Sequence, residues 1–242
     1  MNISSESGSR LCDSVVQALC QWVAFQPALQ GVGFERSSQG TLERVISEWL
    51  DPRFAVLPEY KRRGFLRAQH HGARDLGASP CESSEPAMGD GNAVPGLGSV
   101  DFAVFLRSVP MPPCLPIATV IEVKFNYAGQ SEVSARLVAG ARQVAGYAHM
   151  CAAQAGYVLY LLADTDASIA LPDAASNIDV GWQYLRRSVF KLPTARKRLL
   201  DSIPMAVHQG FQLRDCGYAW ARKQGFGISC SLFGVTPRGD VA

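Results

Sequence analysis

Six residues, Val120-Ile121-Glu122-Val123-Lys124-Phe125, constrain this chain more than any other stretch. Side chains of an extended strand alternate between its faces. Glu122 and Lys124 therefore project together, while Ile121, Val123 and Phe125 project the other way. Burying an unpaired charge is expensive. Two charges in so apolar a strand need a cross-strand partner, a solvated edge or a task. A Glu-x-Lys alone fits the edge-strand explanation. A third charge changes the reading: Asp101 interrupts a second apolar stretch, 99–106, and the Pro-rich connection 109–116 lets the two strands pair.

Adjacent strands would bring Asp101 and Glu122 within reach of one cation. Two carboxylates, a backbone carbonyl and waters make a hard, oxygen-rich site suited to magnesium. A lysine beside such a site can position or deprotonate an attacking water and stabilise charge as it develops on phosphorus.

The flanking sequence reads as α/β, strands alternating with helices. Residues 1–10 are polar and predict a disordered lead. The spacing of Val15, Val16, Leu19, Trp22 and Val23 behind Asp13 predicts a helix over 13–25. A loop over 31–40 leads to a second helix over 41–50, capped by Thr41 and stopped by Pro52. A strand is expected within 54–67, and a long Gly/Ser/Pro-rich insertion over 77–98. Strands over 99–106 and 118–127, a helix over 130–155 and a strand over 156–162 complete the central part. Beyond it, 182–203 reads as helical except at Pro193, and 208–235 as strands. The organisation expected is a lead, then a single domain over 11–242, with a core over 41–163 and a C-terminal extension over 164–242.

Asp101 in Ser99-Val100-Asp101, followed by Glu122-Val123-Lys124, resembles the PD-(D/E)xK signature of restriction-endonuclease-like nucleases. Val100 stands where the signature's name has Pro. The run from Gln143 to Tyr147 matches the QxxxY motif of the RecB-like and phage-exonuclease-like branches, one turn apart on one helix face. The element order, helix, strand, strand with Asp, strand with Glu-x-Lys, helix, strand, is the family's. The resemblance covers roughly 41–163.

It implies a restriction-endonuclease-like fold, a central mixed β-sheet flanked by helices, and a metal-dependent nuclease acting on DNA, with RNA as the alternative substrate. Asp101, Glu122 and the Val123 carbonyl would hold Mg2+, with Mn2+ as a substitute. Lys124 would assist the attacking water, and Gln143 and Tyr147 would shape the site. The family often adds an acidic residue from the first core helix. Glu43 falls at the edge of that helix's apolar stripe, and Glu48 falls toward solvent. Glu43 is thus the expected contributor, orienting Lys124 or helping to hold a second metal. A homodimer, or pairing with an inhibitor or immunity protein, fits the same class. The rival from another class is a catalytically silent restriction-like module that binds nucleic acid or protein.

The net charge is only +2, so affinity for nucleic acid must come from local patches. Arg62, Arg63 and Arg67 lead one patch, with Arg53, Lys61 and Arg74 around them. Arg186, Arg187, Lys191, Arg196, Lys197 and Arg198 form a second, near Trp182, Tyr184, Tyr218 and Trp220. Basic residues among aromatics suit backbone contact with base stacking. Seven scattered cysteines form no CxxC pair and read as free thiols in a reducing cytoplasm. The first ten residues lack the apolar core of a signal peptide, and runs such as 157–163 are too short to span a bilayer. Walker, GxGxxG and GxSxG elements are missing, which removes the common NTPase, dinucleotide and serine-hydrolase readings.

Overall fold

Apolar spacing sets the long elements, and a computed structural model describes them over residues 3–25, 34–60, 100–107, 117–150, 155–167, 184–185, 187–204 and 210–237. Leu11, Val15, Val16 and Leu19 make one buried stripe on helix α1, Ser5–Phe25. Leu42, Val45 and Ile46 do the same on α2, Phe34–Trp49. Strands β1 (Phe54–Tyr60), β2 (Val100–Leu106) and β3 (Ile117–Tyr127) follow. Helix α3 (Val133–Met150) then leads to β4 (Ala155–Thr165), and α4 (Leu192–Asp201) to β5 (Phe211–Lys223) and β6 (Phe226–Pro237).

The six strands form one mixed sheet in the order β1-β2-β3-β4-β6-β5. β1, β2 and β3 run as an antiparallel meander. β3 and β4 are parallel, which requires a crossover, and α3 supplies it. β6 pairs antiparallel with β4 and with β5. Gln224 and Gly225, both at positive φ (51° and 80°), turn the β5–β6 hairpin.

Helices cover both faces. Ile121, Val123 and Phe125 of β3 pack with α1 and α2 residues in one core. Val120 packs with Leu137, Ala141, Val144 and Tyr147 of α3, and with Leu192, Ala195 and Leu199 of α4, in the other. The architecture is therefore a mixed α/β sheet flanked by helices, as the strand and helix pattern predicted.

Four boundaries differ from the sequence reading. The lead is ordered from Ile3: the Ser4 hydroxyl accepts the Ser7 N–H at 3.2 Å and caps α1, which begins at Ser5. Ile3 is buried and donates its N–H to the Tyr157 hydroxyl at 2.8 Å. Gly8 lies so close to the Cys216 carbonyl, and Gly217 so close to Gly8, that neither position has room for a Cβ. Long-range contact, not local polarity, decides this segment.

Helix α2 begins at Phe34, so Thr41 sits inside it rather than at its cap. Helix α3 ends at Met150, and β4 starts at Ala155. Pro193 starts α4 instead of interrupting it, because a first-turn residue has no intrahelical partner for the N–H that proline lacks. The insertion over 77–98 lies outside the described residues.

Among the described residues after 163, β5 and β6 extend the sheet from β4. Buried Asp164 of β4 accepts the Leu192 N–H at 3.1 Å and so caps α4 from another element, which its own Lys191 side chain does not do. Arg222 of β5 pairs with Asp164 at 2.6 Å. Burial pushes the Asp164 carboxyl up, against the Leu192 N–H and Arg222, which hold it down. Among the described residues, no helix is long and apolar enough to cross a membrane.

Candidate active site

The site forms where β2 and β3 part. Their ladder ends with Phe102 opposite Ile121, although β2 stays paired to β1 as far as Val100 opposite Tyr60. The next rung would set Asp101 against Glu122. Instead the Asp101 carboxylate reaches across and accepts the Val123 N–H at 2.7 Å. The Glu122 carboxylate accepts the Asp101 N–H at 3.4 Å. Side chains thus take backbone donors where the ladder opens. An extended residue turns its N–H and C=O toward the same strand edge, so the Val123 carbonyl faces the same opening.

Glu122 and Lys124 lie on the α3 face, as alternation predicted. Their neighbour Val120 is in the α3-side core, and Ile121, Val123 and Phe125 are in the other. Asp101 shares that face, since Phe102 and Val104 pack on the opposite one and Ala103 and Phe105 on this one. Lys124 Nζ donates to the Glu122 carboxylate. Glu122 is only 3% exposed. Burial first, and the Asp101 charge second, push its carboxyl up to about 7; the Lys124 ammonium works in the opposite direction.

Two carboxylates on one face and a backbone carbonyl at a strand opening suit a hard divalent cation. Lys124 offsets only part of the effect of burial and of the Asp101 charge on the Glu122 carboxyl. Among the described residues, no three His, Cys, Asp or Glu side chains converge on one point. Any metal held here would rest on Asp101, Glu122, Val123 and water.

No family model, curated protein or solved structure matches this chain.

The other expected site residues divide. Tyr147 is 1% exposed and packs in the core between α3 and the sheet, while Gln143 one turn before it is half-buried. Glu43 is half-buried and Glu48 exposed, which agrees with the helical phase read for α2. Yet α2 packs on the face opposite Glu122 and Lys124. Glu43 thus comes from a helix on the other side of the sheet from the pair. Glu43→Gln should slow any cleavage by about tenfold, the scale of a residue acting through a ligand or base. Glu48→Gln should leave it unchanged. Single-turnover rates of both variants check this, and the reverse ranking would remove Glu43 from the site.

The basic patches are described only in part. Arg62, Arg63 and Arg67 lie outside the described residues, as do Lys61, Arg74, Trp182 and Arg186. Arg53 donates to the Asp51 carboxylate at 3.0 and 3.1 Å. In the second patch, two arginines turn inward. Arg196, 9% exposed, pairs with Asp215 at 2.5 Å and lies over the Tyr218 and Phe233 rings. Arg198 donates to the Gln130 and Ala128 carbonyls at 2.9 and 2.6 Å, holding the turn between β3 and α3. Neither is available to a phosphate backbone. Arg187, Lys191 and Lys197 remain exposed, with Trp220 at 57%.

Gly140 and Asn126 belong to none of the motifs in the sequence. Asn126 follows Glu122 and Lys124 on the same strand face and donates to the Tyr160 hydroxyl at 3.1 Å; that hydroxyl donates to the Val133 carbonyl at 2.8 Å. Another polar residue on this apolar strand was the available sign. For Gly140 the sign was a glycine in mid-helix.

Proposed function

We propose that this chain is a magnesium-dependent nuclease of the PD-(D/E)xK type, hydrolysing phosphodiester bonds of DNA on a restriction-endonuclease-like fold. One observation carries the reading. Asp101, Glu122 and Lys124 share one sheet face at the point where β2 and β3 part, with both carboxylates engaging the opposite strand's backbone. The element order supports it: α2, β1, β2 with Asp101, β3 with Glu122 and Lys124, α3 and β4 follow the order of that family's core.

Asp101, Glu122 and the Val123 carbonyl would hold Mg2+, or Mn2+ in its place. The ion would supply Lewis-acid polarisation of a phosphoryl oxygen and a more acidic bound water. The chain's own residues do the rest. Asp101 is oriented by the Val123 N–H, which holds its carboxylate across the point where the two strands part. Lys124 presents a donor beside Glu122, able to orient the attacking water and to stabilise charge on the phosphoryl oxygens. The buried flank of Glu122 limits bulk water and strengthens each of these interactions. Gln143 shapes the site from α3, and Tyr147 supports it from the core.

The test is incubation of the purified protein with circular and linear DNA, and with RNA, with Mg2+ or Mn2+ and with a chelator. Cleavage that requires metal and stops on chelation supports the reading. Cleavage that survives exhaustive chelation overturns the metal. Metal binding by calorimetry without cleavage of any substrate leaves the silent binding module as the function.

A further inference from the structure

Glycine in the middle of a helix calls for a reason, because only proline is a poorer helix former. Gly140 sits in mid-α3, buried on the side facing the sheet. A Cβ built there would lie 3.1 Å from Lys124 Cγ, 3.2 Å from Lys124 Cε and 3.5 Å from Val158 Cγ1. The first two are closer than ordinary van der Waals contact, and the third is not. Gly140 therefore makes room for one thing, the stem of Lys124. That stem crosses the bare Cα of α3 and ends with its ammonium on Glu122.

We infer that Gly140 is a positioning residue, whose missing side chain forms the seat that aims Lys124 at Glu122. The kinetic consequence rests on the nuclease reading; the seat itself rests on the packing alone. A helix backbone is stiff and a lysine stem is flexible. A methyl group at 140 would move the stem by a few tenths of an ångström and leave the helix in place. Alanine also favours the helix more than glycine does. The substitution should therefore separate stability from activity, which a glycine kept only for packing would not do.

The experiment compares the wild type, Gly140→Ala, Lys124→Ala and the double variant. Gly140→Ala should melt no lower than the wild type and bind Mn2+ equally well by calorimetry. Its kcat on DNA should fall roughly tenfold with KM unchanged, less than the roughly 100-fold that a full 1 Å misplacement can cost. In the Lys124→Ala background, Gly140→Ala should have no further effect on rate.

A second readout needs no activity. Acetic anhydride labelling, followed peptide by peptide against exposed Lys197, should modify Lys124 severalfold faster in Gly140→Ala, because the ammonium is shifted off Glu122. Wild-type labelling of Lys124 in that variant overturns the inference. So does a slower rate accompanied by a lower melting temperature, or the same fold-loss with and without Lys124. If the wild type itself fails to cleave, the nuclease reading falls and the labelling alone decides the seat.

Discussion

Lys124→Ala should slow metal-dependent DNA cleavage by about 100- to 1000-fold, the loss typical of removing one positioned donor from a charge-stabilising site. Lys124 is paired to Glu122 and buried along its stem by α3, so its ammonium is aimed before substrate arrives. A group of that kind acts on charge that develops in the transition state, and its loss should appear in kcat more than in KM. Metal binding has a condition attached. Lys124 is also what lowers the Glu122 carboxyl toward ionisation. Without it Glu122 holds its proton more tightly, so metal affinity should persist at pH 8 and weaken near neutrality. Single-turnover cleavage with calorimetric Mn2+ titration at both pH values separates the two effects. A variant that cuts at near the wild-type rate would make Lys124 a structural counter-ion only.

The second large effect is on stability. Glu122 has its carboxyl pushed from the ordinary 4.5 to about 7 in the folded, metal-free protein. Between those pH values the native state binds a proton that the unfolded chain has released. The contribution of this group to stability is therefore fully present below about 4.5, falls as pH rises, and is gone above about 7. A shift of this size corresponds to about 3 kcal/mol as an upper figure. Glu122→Gln keeps the shape and removes the titration. The variant should match the wild type near pH 4 and exceed it by about 1–3 kcal/mol at pH 8, the lower end allowing for Lys124 losing its partner.

Magnesium should act in the opposite direction on the wild type. At about 100 times its dissociation constant it adds about 2.7 kcal/mol, and only where Glu122 is ionised. The Gln variant should gain almost nothing. Urea unfolding across pH 4–8, with and without Mg2+, measures all four curves. If the wild type and Glu122→Gln keep a constant difference across that range, Glu122 is not the buried group that holds the proton.

Much of this site was legible in one dimension. Alternation alone put Glu122 and Lys124 on one face and Ile121, Val123 and Phe125 on the other, and the two cores divide them in that way. The helical phase of α2 ranked Glu43 inward of Glu48, and the burial follows. What alternation and phase cannot supply is the partner. Arg196 and Arg198 read as a basic face with their neighbours, but Asp215 and the carbonyls of 128 and 130, far away in sequence, turn them inward. Polar residues 1–10 read as a lead, but Tyr157, Arg214 and the backbone of β5 hold them from Ile3 onward.

The sequence by itself determined which residues are charged within apolar strands, which faces they share and the order of helices and strands around them. Those properties follow from the two-residue period of a strand and the 3.6-residue period of a helix, and both are local. Only the tertiary structure decided that the β2–β3 ladder stops at Phe102 and Ile121, so that Asp101 spends its carboxylate on the Val123 N–H. Only the tertiary structure brought Gly140 of α3 against the stem of Lys124 and buried Glu122 deeply enough to raise its carboxyl. The reason is that strand register, burial and close approach are energies between segments distant along the chain, and no local period encodes them.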